Sequence, residues 1–495
     1  MSISITRLRR SSFKALHLLL ACALLMLAWL PNSANAIPAF NRQTGQNCVA
    51  CHAGGQFPEL TPYGRLFKLT GYTIGQRTVP ISAMAVASLS KVANTSKSDD
   101  PGADFQKDGK VILATASLLL GGKVTDNIGA FAQITYDPYA VQDANGNFHG
   151  HSNADNIDIR YADRFISGRH DLIFGISANN NPSVSDPWNT AAAWMQYVPV
   201  PSPTSSRFID GNTPYPGFGA GGNIAGLSAY AFWNQTIYLE VGGFGSARGA
   251  ARFMSAGIAD ADNTKLRGIN PYWRLAYNRE WGPHNLMIGT SGMKARVYDD
   301  PLDTSDPATT HQYTDLAIDA QYQYLLDPHS VTAQFVYTSN RHRYPASLSN
   351  LPVAFVDAAG NALPVTNESD TNHLLRAKLT YVYQARYGGS VGFFNLTGST
   401  NTANLTAGLD PGTLSITTDS ESQAPSARQV DGNRTGSPAT RGLTLEAFWM
   451  PMQYLRIGAQ YTGYLRFNGA SSNYDGFGRN ASDNNSLFLY AWLAY

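Results

Sequence analysis

Segments of about ten residues with a period of two recur along most of this chain, and that period limits what it can fold into. From Asp315 to Tyr324 one side reads Leu316, Ile318, Ala320, Tyr322 and Tyr324, and the other Asp315, Ala317, Asp319, Gln321 and Gln323. Leu375, Ala377, Leu379, Tyr381 and Tyr383 alternate with Arg376, Lys378, Thr380 and Gln384. Leu455, Ile457, Ala459, Tyr461 and Leu465 alternate with Arg456, Gly458, Gln460, Thr462, Tyr464 and Arg466. Successive side chains of a strand point to opposite faces, so each segment reads as a strand between an apolar and a polar environment. Long helical periods are missing. A soluble β-sandwich and a membrane barrel share this mark.

The connections separate the two. About sixteen such segments follow Val79, joined by alternately short and long connections. The short ones are Gly121 to Asn127, Ser167 to His170, Asn234 to Thr236, Glu280 to Asn285, Asp327 to Ser330, Arg386 to Gly389 and Pro451 to Gln453. Long polar stretches lie between them, among them Asp137 to Ala154, Ala178 to Gly222, Arg341 to Asp370 and Gly398 to Thr440. Short turns at one end and long loops at the other are the pattern of an outer-membrane barrel. The terminal run Ser486 to Tyr495 alternates and ends on an aromatic residue, resembling the assembly signal of bacterial outer-membrane proteins. Residues 79–495 therefore read as an all-β, roughly 16-stranded transmembrane barrel in outer-membrane lipid, its polar row facing an aqueous lumen. An even strand count leaves both barrel ends on the periplasmic side. Charged residues make up 14% of the chain and its net charge is +1, which points to no nucleic-acid partner.

The first 36 residues read as a removable signal peptide. Arg7, Arg9, Arg10 and Lys14 precede an apolar run from Ala15 to Leu30, and Ala34-Asn35-Ala36 supplies the small residues of a cleavage site. A permanent helical anchor is the alternative for so short an apolar run.

Of three cysteines, Cys22 lies in that leader, and Cys48 and Cys51 form Cys48-Val49-Ala50-Cys51-His52. A structural zinc site needs four ligands, and no second such pair exists. A thioredoxin-like pair needs a βαβ context, and a disulfide framework needs more cysteines. The spacing Cys-x-x-Cys-His in an exported chain is the attachment signature of one haem c, in which Cys48 and Cys51 form thioethers and His52 ligates the iron. An ordinary disulfide or two free thiols is the bland alternative. Residues 37–78 then read as a small helical monohaem domain. Thr61 serves as N-cap, Pro62 opens the helix and Gly71 closes it. Leu60, Tyr63, Leu66 and Phe67 share a face suited to cover haem, and Arg65 and Lys68 either pair with propionates or form a solvated basic face. About forty residues cannot build a core alone, so this domain needs the haem and a larger neighbour.

Ile37-Pro38-Ala39-Phe40-Asn41-Arg42-Gln43-Thr44-Gly45, the haem motif, and Tyr63-Gly64-Arg65-x-Phe67-Lys68-x-x-Gly71-Tyr72 together resemble the N-terminus of the fused monohaem cytochrome–porins associated with iron-oxidising bacteria. Asn179 to Thr190 is similar to a further segment of that family. The resemblance implies an electron-transfer protein of Fe(II)-oxidising, cytochrome-reducing type. Its donor would be extracellular Fe(II) or another reduced species, and its acceptor a periplasmic c-type cytochrome. A solute porin with an auxiliary or redox-sensing haem is the competing function, and a haem peroxidase with an open distal site is a third.

Between Ile37 and Thr78 there is no methionine and no second histidine, so a strong distal ligand must come from elsewhere. His170, His284 and His329 fall at short turns, and His149, His151, His311 and His342 in long loops, with His373 just after one. Lys68, Met84 or water are further options. The acids Asp99, Asp100, Asp104 and Asp108, and Asp299, Asp300, Asp303 and Asp306, either gather Fe(II) or keep loops soluble.

Overall fold

In the computed structural model, residues 39–55, 59–94, 109–142, 148–190, 223–255, 265–345, 355–356, 362–363, 367–401, 432–476 and 478–495 are described. The expected signal segment and the acids from Asp99 to Asp108 lie outside them. Sixteen strands form a barrel: β1 (Ile81–Val92), β2 (Val111–Lys123), β3 (Ile128–Gln142), β4 (Phe148–Ser167), β5 (His170–Asn179), β6 (Ile224–Trp233), β7 (Ile237–Ser246) and β8 (Asn270–Trp281). They continue as β9 (His284–Tyr298), β10 (Thr310–Leu326), β11 (His329–Arg343), β12 (Ser369–Tyr383), β13 (Tyr387–Gly398), β14 (Thr440–Met452), β15 (Leu455–Arg466) and β16 (Ser486–Ala494). Each pairs antiparallel with its sequence neighbours, and β1 pairs with β16, which closes the cylinder and leaves no sheet edge. The terminal Tyr495 exchanges backbone bonds of 2.6 and 2.7 Å with Ala83 across that seam.

The period-two reading holds at the level of side chains. On β10, Leu316 and Ile318 are 45% and 50% exposed, whereas Asp315, Asp319, Gln321 and Gln323 are buried in the lumen. On β12, Leu379, Tyr381 and Tyr383 face out and Arg376 and Thr380 face in; β15 repeats this with Ile457, Tyr461 and Leu465 against Arg456 and Thr462. An exposed apolar row on strand after strand is a lipid-facing band, because water would penalise it and lipid does not. No helix among the described residues is long and apolar enough to cross a membrane; the strands do the crossing.

All seven short connections fall where expected, the tightest being 168–169, 282–283, 327–328 and 453–454. The stretch Asp137 to Ala154 differs. It is mostly ladder, with Asp137 paired to His151 and Val141 to His149, leaving only 143–147 between β3 and β4. The pairing uses backbone groups, so polar side chains continue a strand wherever water replaces lipid beyond the band.

Among the described residues four short α-helices accompany the barrel: α1 (Ala39–Thr44), α2 (Cys48–Cys51), α3 (Pro62–Leu69) and α4 (Pro182–Ser185). The first three and the barrel belong to one compact unit that runs to Tyr495. They lie inside the lumen, held by inward-facing strand residues.

Candidate haem site in the barrel lumen

The motif forms a single helical turn. Cys48 and Cys51, three residues apart on α2, project on the same side, and they are not joined to each other. His52 follows in extended conformation (φ −117°, ψ 128°), and its N–H donates to the Cys48 carbonyl at 2.8 Å. Burial raises the Cys48 thiol and pushes Cys51 up to about 11, with Cys48 adding to the effect. Both sulfurs are therefore protonated and slow to oxidise at neutral pH. Two thiols on one side of a turn, unspent on each other and followed at once by an imidazole, are the donor set that covalent haem attachment uses. The residues fit the group.

The chain then reverses tightly at Gly54 (φ 67°) and Gly55 (φ 80°). A Cβ on Gly54 would lie 2.7 Å from the side chain of Val382, so the motif runs hard against β12 near its short-turn end. Returning, α3 clamps α2. The Thr61 N–H donates to the Cys51 carbonyl at 2.9 Å, and its hydroxyl donates to the Ala50 carbonyl while accepting the Gly64 N–H at 3.1 Å. Gly71 (φ 71°) ends the helix as expected, with Tyr72 N–H on the Phe67 carbonyl (2.9 Å) and Gly71 N–H on that of Lys68 (3.1 Å).

The two basic residues of α3 have partners that the sequence did not suggest. Arg65 is buried and donates to Gln323 Oε1 (3.0 Å), Asn285 Oδ1 (2.6 Å) and the Leu60 carbonyl (2.8 Å), with Glu280 at 3.8 Å. Lys68 donates to the Asp186 carbonyl (2.8 Å) and Asn189 Oδ1 (3.3 Å). Neither forms a solvated basic face; both fasten the plug to the barrel. Burial lowers Arg65 to about 10 and Lys68 to about 8, Arg160 adding to the latter. Further ties run from Tyr72 Oη to Asp158 Oδ2 (2.5 Å), from Tyr230 Oη to the Leu69 carbonyl (2.7 Å) and from Lys378 Nζ to Glu59 Oε1 (3.2 Å). Burial works to raise the Glu59 carboxyl, but Lys378, then a backbone hydrogen bond and Arg456, hold it below its ordinary range.

The apolar face of α3 divides. Phe67 packs on Phe40 (centroids 4.9 Å apart) and Tyr72 (5.9 Å), and Leu66 joins the cluster of Leu69, Ile173, Trp188, Tyr230 and Tyr238. Tyr63 remains beside Cys51, and burial of the ring, with Cys51 second, raises the phenol. The helix builds its core with the barrel wall.

Asn179 to Thr190 folds inward onto α3. Asn181 caps α4, and Asp186 accepts the N–H groups of Trp188 (3.0 Å) and Thr190 (2.9 Å). Asp186 also meets Arg274 at 3.2 Å, which is doubly bonded to Asp319 at 2.7 and 3.0 Å. Trp188 is fully buried. On the long-loop side of this segment lies a polar cleft lined by Ser183, Asp186, Thr190, Tyr272, Arg274 and Ser291. The motif-to-wall contacts were not readable from local sequence; only the inward charged positions of the strands and the quoted Asn179–Thr190 run hinted at them.

The histidines divide by face. His170 stacks on Trp233, His284 bonds Tyr322 Oη (2.7 Å) and His329 bonds Tyr381 Oη (2.8 Å), all in the outward aromatic belt at the short-turn end. His373 stacks on the exposed Tyr337. His311 and His342 bond each other. Asp300, Asp303 and Asp306 accept backbone N–H groups two residues ahead and so shape their own loop.

No family model and no curated protein matches the chain. Among solved structures it is similar to OmpF of Salmonella typhi in complex with daunomycin, at 11% identity and a TM-score of 0.45, covering 84% of this chain and 97% of that one. It is also similar to the outer-membrane channel DcaP of Acinetobacter baumannii (10%, TM-score 0.40, 84% and 96%) and to OmpT of Vibrio cholerae (9%, 0.42, 84% and 96%). Sixteen antiparallel strands closed on themselves, apolar outside and polar within, make the fold that of an outer-membrane porin-like barrel.

Proposed function

We propose that this barrel carries electrons across the outer membrane by way of one haem c, attached through Cys48 and Cys51 with His52 as iron ligand. The donor is an extracellular reductant, with Fe(II) first, each ion giving one electron as it becomes Fe(III); the acceptor is a periplasmic c-type cytochrome. The observation that carries this reading is the seating of the motif inside the lumen by Arg65, Lys68, Tyr72 and Glu59. Bound there, the haem would supply a one-electron centre toward the short-turn side of an apolar band about 25 Å tall.

The chain's own residues do the remaining work. Helix α3, eight residues and about 12 Å long, is clamped to Cys51 at one end and touches Asp186 and Asn189 along its side. A small donor that descends from the long-loop end to the cleft at Asp186 and Tyr272 is then separated from the motif by little more than this helix. Polar lumen walls admit an aqueous ion to that depth, and the plug holds larger solutes back.

The solute-porin reading, with an auxiliary or redox-sensing haem, is favoured by a different observation: a closed sixteen-strand barrel with a polar lumen is the architecture of solute porins. One experiment separates the two. Purified haem-loaded protein is mixed anaerobically with Fe(II) while the haem spectrum is followed, and the same preparation is tested for conductance in planar bilayers. Electron transfer predicts rapid reduction and low conductance. A haem that stays oxidised under excess Fe(II) at the cell's growth pH, in a freely conducting barrel, refutes it in favour of the porin.

A further inference from the structure

At the long-loop end, far from the plug, β10, β11 and the residues just beyond β9 and β11 bring together a cluster that electron transfer through the motif does not use. His311 Nδ1 lies 2.8 Å from His342 Nε2, and His311 Nε2 lies 2.8 Å from Asp299 Oδ1. Both imidazoles are 5% exposed. The ring of Tyr313 lies flat against His342 (4.3 Å between centroids, 11° between planes), and Tyr344 packs on the same imidazole at 4.2 Å. The register produces this arrangement: His342 stands opposite Tyr313 across the β10–β11 ladder, and His311 opposite Val297 across β9–β10. His311, Tyr313 and His342 therefore project to the lumen side of the rim.

We propose that His311 and His342 form a binding site for a first-row divalent cation that favours nitrogen ligands, such as zinc or copper, with Asp299 as the group that orients His311. Metal–nitrogen bonds of roughly 2.0–2.1 Å place two nitrogens about 3.0 Å apart on adjacent corners of an octahedron and about 3.3 Å apart on a tetrahedron. The pair already stands at 2.8 Å. For an ion to enter, the rings open by a few tenths of an ångström and tilt until both lone pairs converge on it, and the His342 proton moves from Nε2 to Nδ1 so that both imidazoles stay neutral. The Nε2–H of His311 donates to Asp299 and so leaves Nδ1 as a lone pair, the carboxylate–histidine–metal arrangement that also raises ligand basicity. Tyr313 and Tyr344 hold the second ring in place. Among the described residues no three His, Cys, Asp or Glu side chains converge as a closed cage. Water fills the remaining positions, which gives an open rather than a structural site. Two neutral imidazoles select against the oxygen-seeking magnesium and calcium ions. The inference stands apart from the electron-transfer reading, since it needs neither the haem nor its donor.

The full haem-loaded chain, free of any polyhistidine tag, is titrated with zinc in detergent at pH 7.5 by calorimetry. The expected result is one more equivalent bound by the natural protein than by His311→Gln or His342→Gln, and about tenfold weaker binding by Asp299→Asn. Copper(II) bound to the natural protein should show hyperfine splitting from two imidazole nitrogens, a readout that needs no variant to fold. Equal stoichiometry and affinity in the natural protein and both glutamine variants, or a copper signal without paired nitrogens, would overturn the site and leave a simple hydrogen-bonded pair.

Discussion

A methyl group on Gly64 would lie 2.1 Å from the Cys51 carbonyl oxygen, far inside any tolerable contact. Gly64→Ala must therefore push α3 off α2, at a cost of about 1–3 kcal/mol for overpacking. We expect outer membranes carrying this variant to hold the usual amount of barrel but less haem-stained protein; full attachment and an undisturbed spectrum would argue that the clamp is dispensable. Lys68 offers a test through pH. Its ammonium is lowered from 10.5 to about 8 in the seated plug. Between those values the released lysine binds more protons than the seated one, so raising pH through that window favours seating; the slope vanishes below about 8 and above 10.5. Protease resistance of the plug should climb from pH 8 to 10 in the natural protein and stay flat in Lys68→Met. Equal slopes would assign the effect to another group. The helix caps at Thr61 and Gly71 were legible because a cap is settled within three or four residues. The partners of Arg65 and Lys68 were not, since Asn285, Gln323 and Asp186 stand between 118 and 258 positions away.

At the scale of elements, alternation and turn length were enough to count strands and to assign faces, because both are backbone properties expressed every second residue. What they could not show is which strands meet the plug. Contacts from α3 and its flanks reach β4, β6, β8, β9, β10 and β12, a choice made by the closed ladder and its stagger rather than by any one segment. The inward Asn179–Thr190 segment was recognisable as distinctive in sequence, yet its place against α3 appears only once β5 and β8 stand in register. Asp186 is its organiser: it bonds two backbone N–H groups and one hydroxyl of the segment and pairs with Arg274. Replacing it by alanine leaves Arg274 with Asp319 alone and releases the turn. Breaking one partner of a buried pair costs about 3–5 kcal/mol. Amide exchange within residues 181–190 and α3 of Asp186→Ala should accelerate together, while β13 to β16 keep their protection. Acceleration confined to the turn would show that the segment does not support the plug.

For the whole molecule, barrel and plug depend on each other unequally. The barrel closes through its own β1–β16 ladder, and β1 begins at Ile81, after the plug has ended. The buried groups that the plug would leave behind have partners of their own: Asp158 keeps Arg160 at 2.7 Å, and Glu446 keeps Arg456 at 2.7 Å. Lys378 loses Glu59, but a lumen opened to water resolvates an ammonium at little cost. The plug has no such reserve. Its forty-odd residues bury Phe67 and Leu69 against Phe40 and barrel residues such as Ile173 and Tyr230, and too small a chain cannot keep that surface from water alone. Deleting residues 41–75 should therefore leave a heat-modifiable, membrane-inserted barrel whose conductance rises severalfold, while intact cells lose oxidation of external Fe(II). Persistent Fe(II) oxidation by such cells would place the donor's chemistry outside the plug. Loss of the barrel itself would show that the plug is needed for closure, contrary to the independence of the β1–β16 seam.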